Sequence, residues 1–242
     1  MAQMKRIVDK VKRKLGLERD DVAKNLHCER FEVDNWLISE FLVKKLAPVA
    51  GTHPFPITEL HLMASAVCRF KPEQIFEWGT NIGKSARIFY EIGKWFNIPL
   101  EVHSVDLPDD HDHQEHPGSK RGKMVRGLSN VYLYQGDGLD MSVRLYEKHP
   151  SLRTLVFIDG DHSYESVKRE LAGVIEAMPN AVVLLHDTFY QSEESGYNIG
   201  PYKAITELMK LYSGKYMLIN TDLGLPGMTM LFPAGMLKTR YK

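Results

Sequence analysis

Residues 74–85 read QIFEWGTNIGKS, an apolar run leading through Glu77, Gly79 and Gly83 into the start of a helical pattern. A buried strand that stops, turns and enters a helix leaves its first amide N–H groups unpaired and facing outward. Glycines at such a turn admit positive φ and let another molecule approach the amides. Two phosphate-binding spacings fail here. The dinucleotide fingerprint G-x-G-x-x-G would need glycine where Asn81 stands. The G-x-x-x-x-G-K-S loop matches at Gly83-Lys84-Ser85, but Gly79 is one residue too close. What remains is acidic-x-Gly-x-x-x-Gly after a strand, a spacing that an ordinary tight strand-to-helix turn also produces.

Outward from this turn, helical and extended patterns alternate. The reading predicts strands at 74–79, 100–107, 131–137, 154–159 and 181–185, with helices over about 82–96, 139–148 and 163–178. LVFI at 155–158 is apolar throughout, as a strand covered on both faces should be. Ser163 is the expected N-cap of its helix, and Pro201 the expected first residue of the next. Strands at 215–220 and 228–232 are joined by TDLGLPG, too short for a parallel crossover, so they pair antiparallel. The fold class is therefore α/β: a doubly wound, Rossmann-like seven-stranded sheet with its last strand antiparallel.

Residues 1–50 form a separate helical extension, and 51–242 the main domain. Val8, Val11 and Leu15 make a helical stripe surrounded by basic residues, and 31–47 is apolar on more than one face, suited to packing on the main domain or to a homo-oligomer. APVAGTHPFP, ending at Pro56, reads as a linker, and 57–69 as a helix capped by Thr58. The chain has 31 basic and 31 acidic residues in 242, so no global field draws in nucleic acid. Two cysteines make no disulfide framework and point to the cytoplasm, and no run is long enough to span a membrane.

Ligands of open α/β sheets sit beyond the carboxyl ends of the strands. Those ends carry Glu77, Gly79, Thr80, Asn81, Gly83 and Ser85; then Asp106; then Asp137 between two glycines; then Asp159-Gly160-Asp161-His162; then His186-Asp187-Thr188. Any one of these suits a cap or a turn. Five polar strand ends on one rim favour a site. Asp106, about 25 residues past the glycine turn, is placed to accept hydrogen bonds from two ribose hydroxyls. Asp137 is placed to reach an adenine amino group, or to close a plain turn.

FEWGTNIGKSARIFYE (76–91), VFIDGDHSYESVKREL (156–171) and VVLLHDT (182–188) resemble class I S-adenosylmethionine-dependent methyltransferases, in the group holding cephalosporin hydroxylase-like proteins and sugar or natural-product O-methyltransferases. The likeness covers about residues 55–232. It implies S-adenosylmethionine as cofactor, held by the glycine turn, Asp106, Asp137, Asp159 and Asp161, and a small hydroxylated acceptor such as a saccharide. Metal-assisted members place ligands where this chain has Asp159, His186 and Asp187, although several relatives have a carboxylate in place of His186. Oxygen ligands suit Mg²⁺, whereas an imidazole also suits Mn²⁺ or Zn²⁺, or acts as the base itself. His162, His186 and Asp187 are the expected catalytic groups. A hydroxylase-like oxidoreductase and a non-catalytic binding module are the alternatives. PDDHDHQEHPGSKRGK (108–123) reads as a polar lid, with zinc binding by His111, His113 and His116 as the other reading and Lys120, Arg121 and Lys123 facing an anionic substrate.

Overall fold

The computed structural model describes residues 22–23, 30–111 and 117–237. The basic stripe around Val8, Val11 and Leu15 lies outside the described residues, as do Cys28, His113 and His116.

The first described helix, α1 (Asn35–Phe41), starts where Asp34 Oδ1 accepts from the Trp36 and Leu37 amides at 3.1 Å. It runs through a π-turn (Leu42–Leu46) into α2 (Ala47–Ala50), which ends at Gly51 with φ +71°. Pro48 falls at the start of α2, where its missing N–H costs little. The expected linker is thus partly helical. Its other end is structural as well: Phe55 is buried and packs edge-on against Phe157. Ile38, Phe41, Leu42 and Leu46 are buried, and Phe41 meets Trp95 and Phe96 at ring distances of 5.8 and 5.1 Å. Residues 31–47 therefore dock on their own chain.

Helix α3 (Ile57–Phe70) is capped by no side chain; Pro56 holds the N-cap position, correcting the assignment to Thr58. Then come β1 (Gln74–Trp78), α4 (Lys84–Phe96), β2 (Glu101–Asp106), β3 (Val131–Gln135), α5 (Gly138–Tyr146), β4 (Thr154–Ile158), α6 (Tyr164–Ala177), β5 (Val182–His186), α7 (Ile199–Leu211), β6 (Tyr216–Asn220) and β7 (Met228–Pro233). The sheet order is β3-β2-β1-β4-β5-β7-β6. Its first five strands are parallel, and β7 lies between β5 and β6, antiparallel to both. Pro201 is the third residue of α7 rather than the first.

Side chains alternate between the two sheet faces, and both faces are covered. Ile75, Leu155, Phe157, Val182 and Leu184 pack under α3, α4 and the N-terminal helices. Phe76, Val156, Ile158, Val183 and Leu185 pack against α6 and α7. Ser163 caps α6, its Oγ accepting from the Ser166 amide at 3.3 Å. Ser163→Ala should lower stability by about 1 kcal/mol, read from urea unfolding with an unchanged m value.

Candidate active site

The carboxyl ends of the five parallel strands form one rim. At β1 the chain turns through Gly79 (φ +88°), Asn81 (φ +44°) and Gly83 (φ +84°) before α4 begins. Gly79 is there because nothing larger fits: a Cβ would lie 2.2 Å from the Asp159 carbonyl oxygen. The turn at β1 thus backs directly onto the end of β4. Beneath it, Glu77 is fully buried. One of its oxygens accepts from the Ser104 hydroxyl, which also meets Thr80 Oγ1 at 2.5 Å. The other oxygen, Oε2, has no hydrogen-bond partner among the described residues. Burial pushes the Glu77 carboxyl up to about 7, with the Ser104 and Ser85 hydroxyls offsetting part of the rise and the charges of Asp159 and Asp106 adding to it. A buried, unpaired carboxylate oxygen under an open glycine turn fits a ligand that brings a cationic or N–H group.

At β2, Asp106 Oδ2 accepts from the Asn81 amide at 3.3 Å and from Arg121 Nε at 2.9 Å, and Oδ1 from the Leu107 amide at 3.1 Å. Arg121 also bonds the Leu107 carbonyl and Asp109. It therefore ties the 108–123 stretch to Asp106, which places it away from the role expected for it in meeting an anionic acceptor. Lys120, Lys123 and His111 are exposed. At β3, Asp137 caps α5 through the Asp140 amide (2.9 Å) and pairs with Arg169 (2.6 Å). Asp161 spends its oxygens on the Ser163 amide and on the Ser163 and Ser166 hydroxyls, shaping the entry to α6.

The densest cluster stands at β4 and β5. His186 Nδ1 lies 2.9 Å from Asp159 Oδ1 and 3.1 Å from Asp187 Oδ2. Asp187, at φ +54°, is turned back toward the histidine, and Tyr197 donates to its Oδ1 at 3.2 Å. His162 Nε2 approaches Asp187 Oδ2 at 3.2 Å from the mouth of the site. One ligand atom each from Asp159, His186 and Asp187 lies within 4.8 Å of the others, a spacing that suits a cation. Burial works against a charged imidazole, yet Asp159 together with the bonds to Asp187 and Glu59 pushes His186 up to about 12. These neighbours favour the protonated form of the ring. Burial opposes ionisation of Asp159 too, but His186 and His162 hold that carboxyl below its usual range.

Three participants escaped the sequence reading: Glu59, Ser104 and Tyr197, while Arg121 was expected in a different role. Glu59 had a signal, being an acidic residue beside Leu60, Leu62 and Met63 in a helix otherwise apolar on nearly every side. Its partners, His186 and Gly227, lie 127 and 168 residues away.

A sheet of this order with β7 reversed, and a glycine turn facing an acidic rim, defines the S-adenosylmethionine-dependent methyltransferases of class I. A sequence profile of the Rhamnosyl O-methyltransferase/CmcI family matches residues 56–235, and the chain belongs to that family. The protein is thus an S-adenosylmethionine-dependent O-methyltransferase by family, and neither the hydroxylase-like nor the non-catalytic reading gains support. Among solved structures, the fold is similar to an O-methyltransferase from Bacillus cereus in complex with SAH (16% identity, 94% of this chain and 97% of that one, TM-score 0.52). It is also similar to the O-methyltransferase TomG from Streptomyces achromogenes in complex with SAM (14%, 82% and 96%, TM-score 0.53) and to CalS11, calicheamicin methyltransferase (16%, 80% and 85%, TM-score 0.50). At these identities the likeness concerns the fold. No curated protein is matched significantly by sequence. No helix among the described residues is long and apolar enough to cross a membrane.

Proposed function

We propose that this protein methylates a hydroxyl oxygen of a small saccharide or saccharide-bearing natural product in the cytoplasm, with a divalent cation held by Asp159, His186 and Asp187. The observation that carries the proposal is the contact of Gly79 with the Asp159 backbone, because it sets the cofactor turn directly against the cation ligands. The family name supports a sugar acceptor, and the zero net charge argues against nucleic acid.

S-Adenosylmethionine, when bound, supplies a methyl group already activated for in-line displacement. A cation, Mg²⁺ or another, supplies Lewis acidity toward the acceptor hydroxyl and fixes its direction. The turn from Gly79 to Gly83, with Thr80, Asn81 and Ser85, would hold the methionine end, while Asp106 would take the ribose and Asp137 the adenine edge. Asp161 acts by shaping the β4 end. His162 Nε2 takes the acceptor proton, with Asp187 alongside to stabilise the imidazolium that forms.

Trp36 and Val43, exposed on the N-terminal helices, are the surface we assign to a homo-oligomer, and size-exclusion chromatography of Trp36→Glu checks it. We keep residue 50 as the boundary between the helical extension and the methyltransferase domain, on the support of a family match that begins at 56.

Calorimetric titration with S-adenosylmethionine, followed by mass spectrometry of rhamnosides and other glycosides incubated with the cofactor and with Mg²⁺ or EDTA, tests the reading. Absence of cofactor binding overturns it. Asp106→Asn should weaken S-adenosylmethionine about tenfold, ~1.4 kcal/mol, because one charged acceptor is lost. An unchanged affinity would confine Asp106 to its Arg121 network.

A further inference from the structure

Glu59 is buried on α3, outside the βα units that build the rim. Its Oε2 lies 3.0 Å from His186 Nε2, and its Oε1 accepts from the Gly227 amide at 2.8 Å. Among the described residues each carboxylate oxygen therefore has one donor, and the one serving Oε2 is the imidazole. Phe55 stands edge-on to that imidazole at 4.8 Å, so the ring is fixed in plane as well as in position. A neutral imidazole carries its hydrogen on one nitrogen only. With that hydrogen directed to Glu59, the Nδ1 lone pair converges with Asp159 Oδ1 and Asp187 Oδ2 on the same space. In that tautomer three acceptors face one another, and a cation between them would take the place of the Nδ1 proton.

We propose that Glu59 is the positioning residue that presents His186 Nδ1 as a nitrogen ligand, so that this centre takes a borderline transition-metal ion in preference to Mg²⁺. The proposal rests on the cation-assisted reading above. Mg²⁺ favours an all-oxygen shell, whereas imidazole nitrogen suits the later first-row divalent ions. A carboxylate behind a ligating histidine fixes its tautomer and raises its basicity, and loss of such a partner typically weakens metal binding 10–100-fold. Glu59 also ties this cluster to the residue before β7 through the Gly227 amide, and the Gly227 carbonyl in turn accepts from the Thr188 amide just beyond β5.

The test uses the full chain and the metals alone. Co²⁺ and Mg²⁺ are titrated by calorimetry, with visible absorption of the Co²⁺ form, into wild type, Glu59→Gln, His186→Glu and the double variant. Wild type should bind Co²⁺ at least tenfold more tightly than Mg²⁺. Glu59→Gln should lose 10–100-fold in Co²⁺ affinity when His186 is present and less than twofold when it is replaced. Wild type that binds neither ion overturns the cation reading itself. Wild type that binds Co²⁺ with no loss in Glu59→Gln, or with an equal loss in both backgrounds, overturns the role of Glu59 and leaves the cation reading standing. Should Glu59→Gln fail to fold, long-range ¹H–¹⁵N spectra of the Zn²⁺-loaded wild type decide. A proton on His186 Nε2 supports the proposal, and a bare Nε2 overturns it.

Discussion

Gly79→Ala lowers the unfolding midpoint by roughly 10 °C. Two costs combine at this position. The backbone sits at φ +88°, which a side chain tolerates poorly. The new Cβ would also lie 2.2 Å from the Asp159 carbonyl oxygen, 3.1 Å from its carbonyl carbon and 3.7 Å from Gly160 Cα. All three are backbone atoms at the end of the central strand β4, so relief requires moving the strand end rather than rotating a side chain. Strain and overpacking together come to roughly 3–5 kcal/mol, and a chain of this size loses about 2–4 °C per kcal/mol. Gly160→Ala supplies the control: its Cβ would meet nothing within 4 Å, so its midpoint should stay within about 1 °C of wild type. Differential scanning calorimetry compares the two. Equal shifts would show that Gly79 owes its place to something other than the contact with Asp159.

That contact also explains which features were legible in the chain. The sheet was, because its evidence is local: LVFI and VVLL are continuous apolar runs, and TDLGLPG is too short for anything but an antiparallel return. The strand ends were legible as a set, since topology alone carries Asp106, Asp159, His186 and Asp187 to one rim. The partners of those residues were not. Arg121 bonds Asp106 from a loop whose composition reads as solvated, and its pairing depends on where the loop folds back. Glu59 reaches His186 across more than half the chain, and no periodicity in α3 distinguishes a buried acid with a long-range partner from one at a solvated edge. The linker around Phe55 was misread for a related reason. Proline and glycine mark where regular structure stops, but they carry no information on whether an intervening aromatic is drawn into the core. His186 shows the combined effect: its place at the end of β5 is legible from the strand pattern, and the Glu59 carboxylate behind it is not.

Glu77 gives the second large effect, a stability that falls as pH rises from about 4.5 to about 7. The carboxyl is fully buried, one oxygen is satisfied by Ser104 and the other has no partner among the described residues, so the protonated form is favoured in the folded state. Its folded value of about 7 stands above the ordinary 4.5. Between these values the unfolded chain has released the proton while the folded chain retains it, and stability therefore declines with pH across that window and levels off above it. The full difference corresponds to about 3 kcal/mol. Glu77→Gln removes the titration while keeping the shape. The stability of the variant minus that of wild type should consequently rise by up to about 3 kcal/mol between pH 4.5 and pH 8, measured by urea unfolding at each pH. Below pH 4.5 the difference should be flat. A pH-independent difference would mean that Glu77 is already ionised in the folded protein, and hence that some donor in the rim satisfies Oε2. Protonated under the glycine turn, this carboxyl is held in reserve, and a ligand presenting a positive group to Oε2 gains a full charge by ionising it.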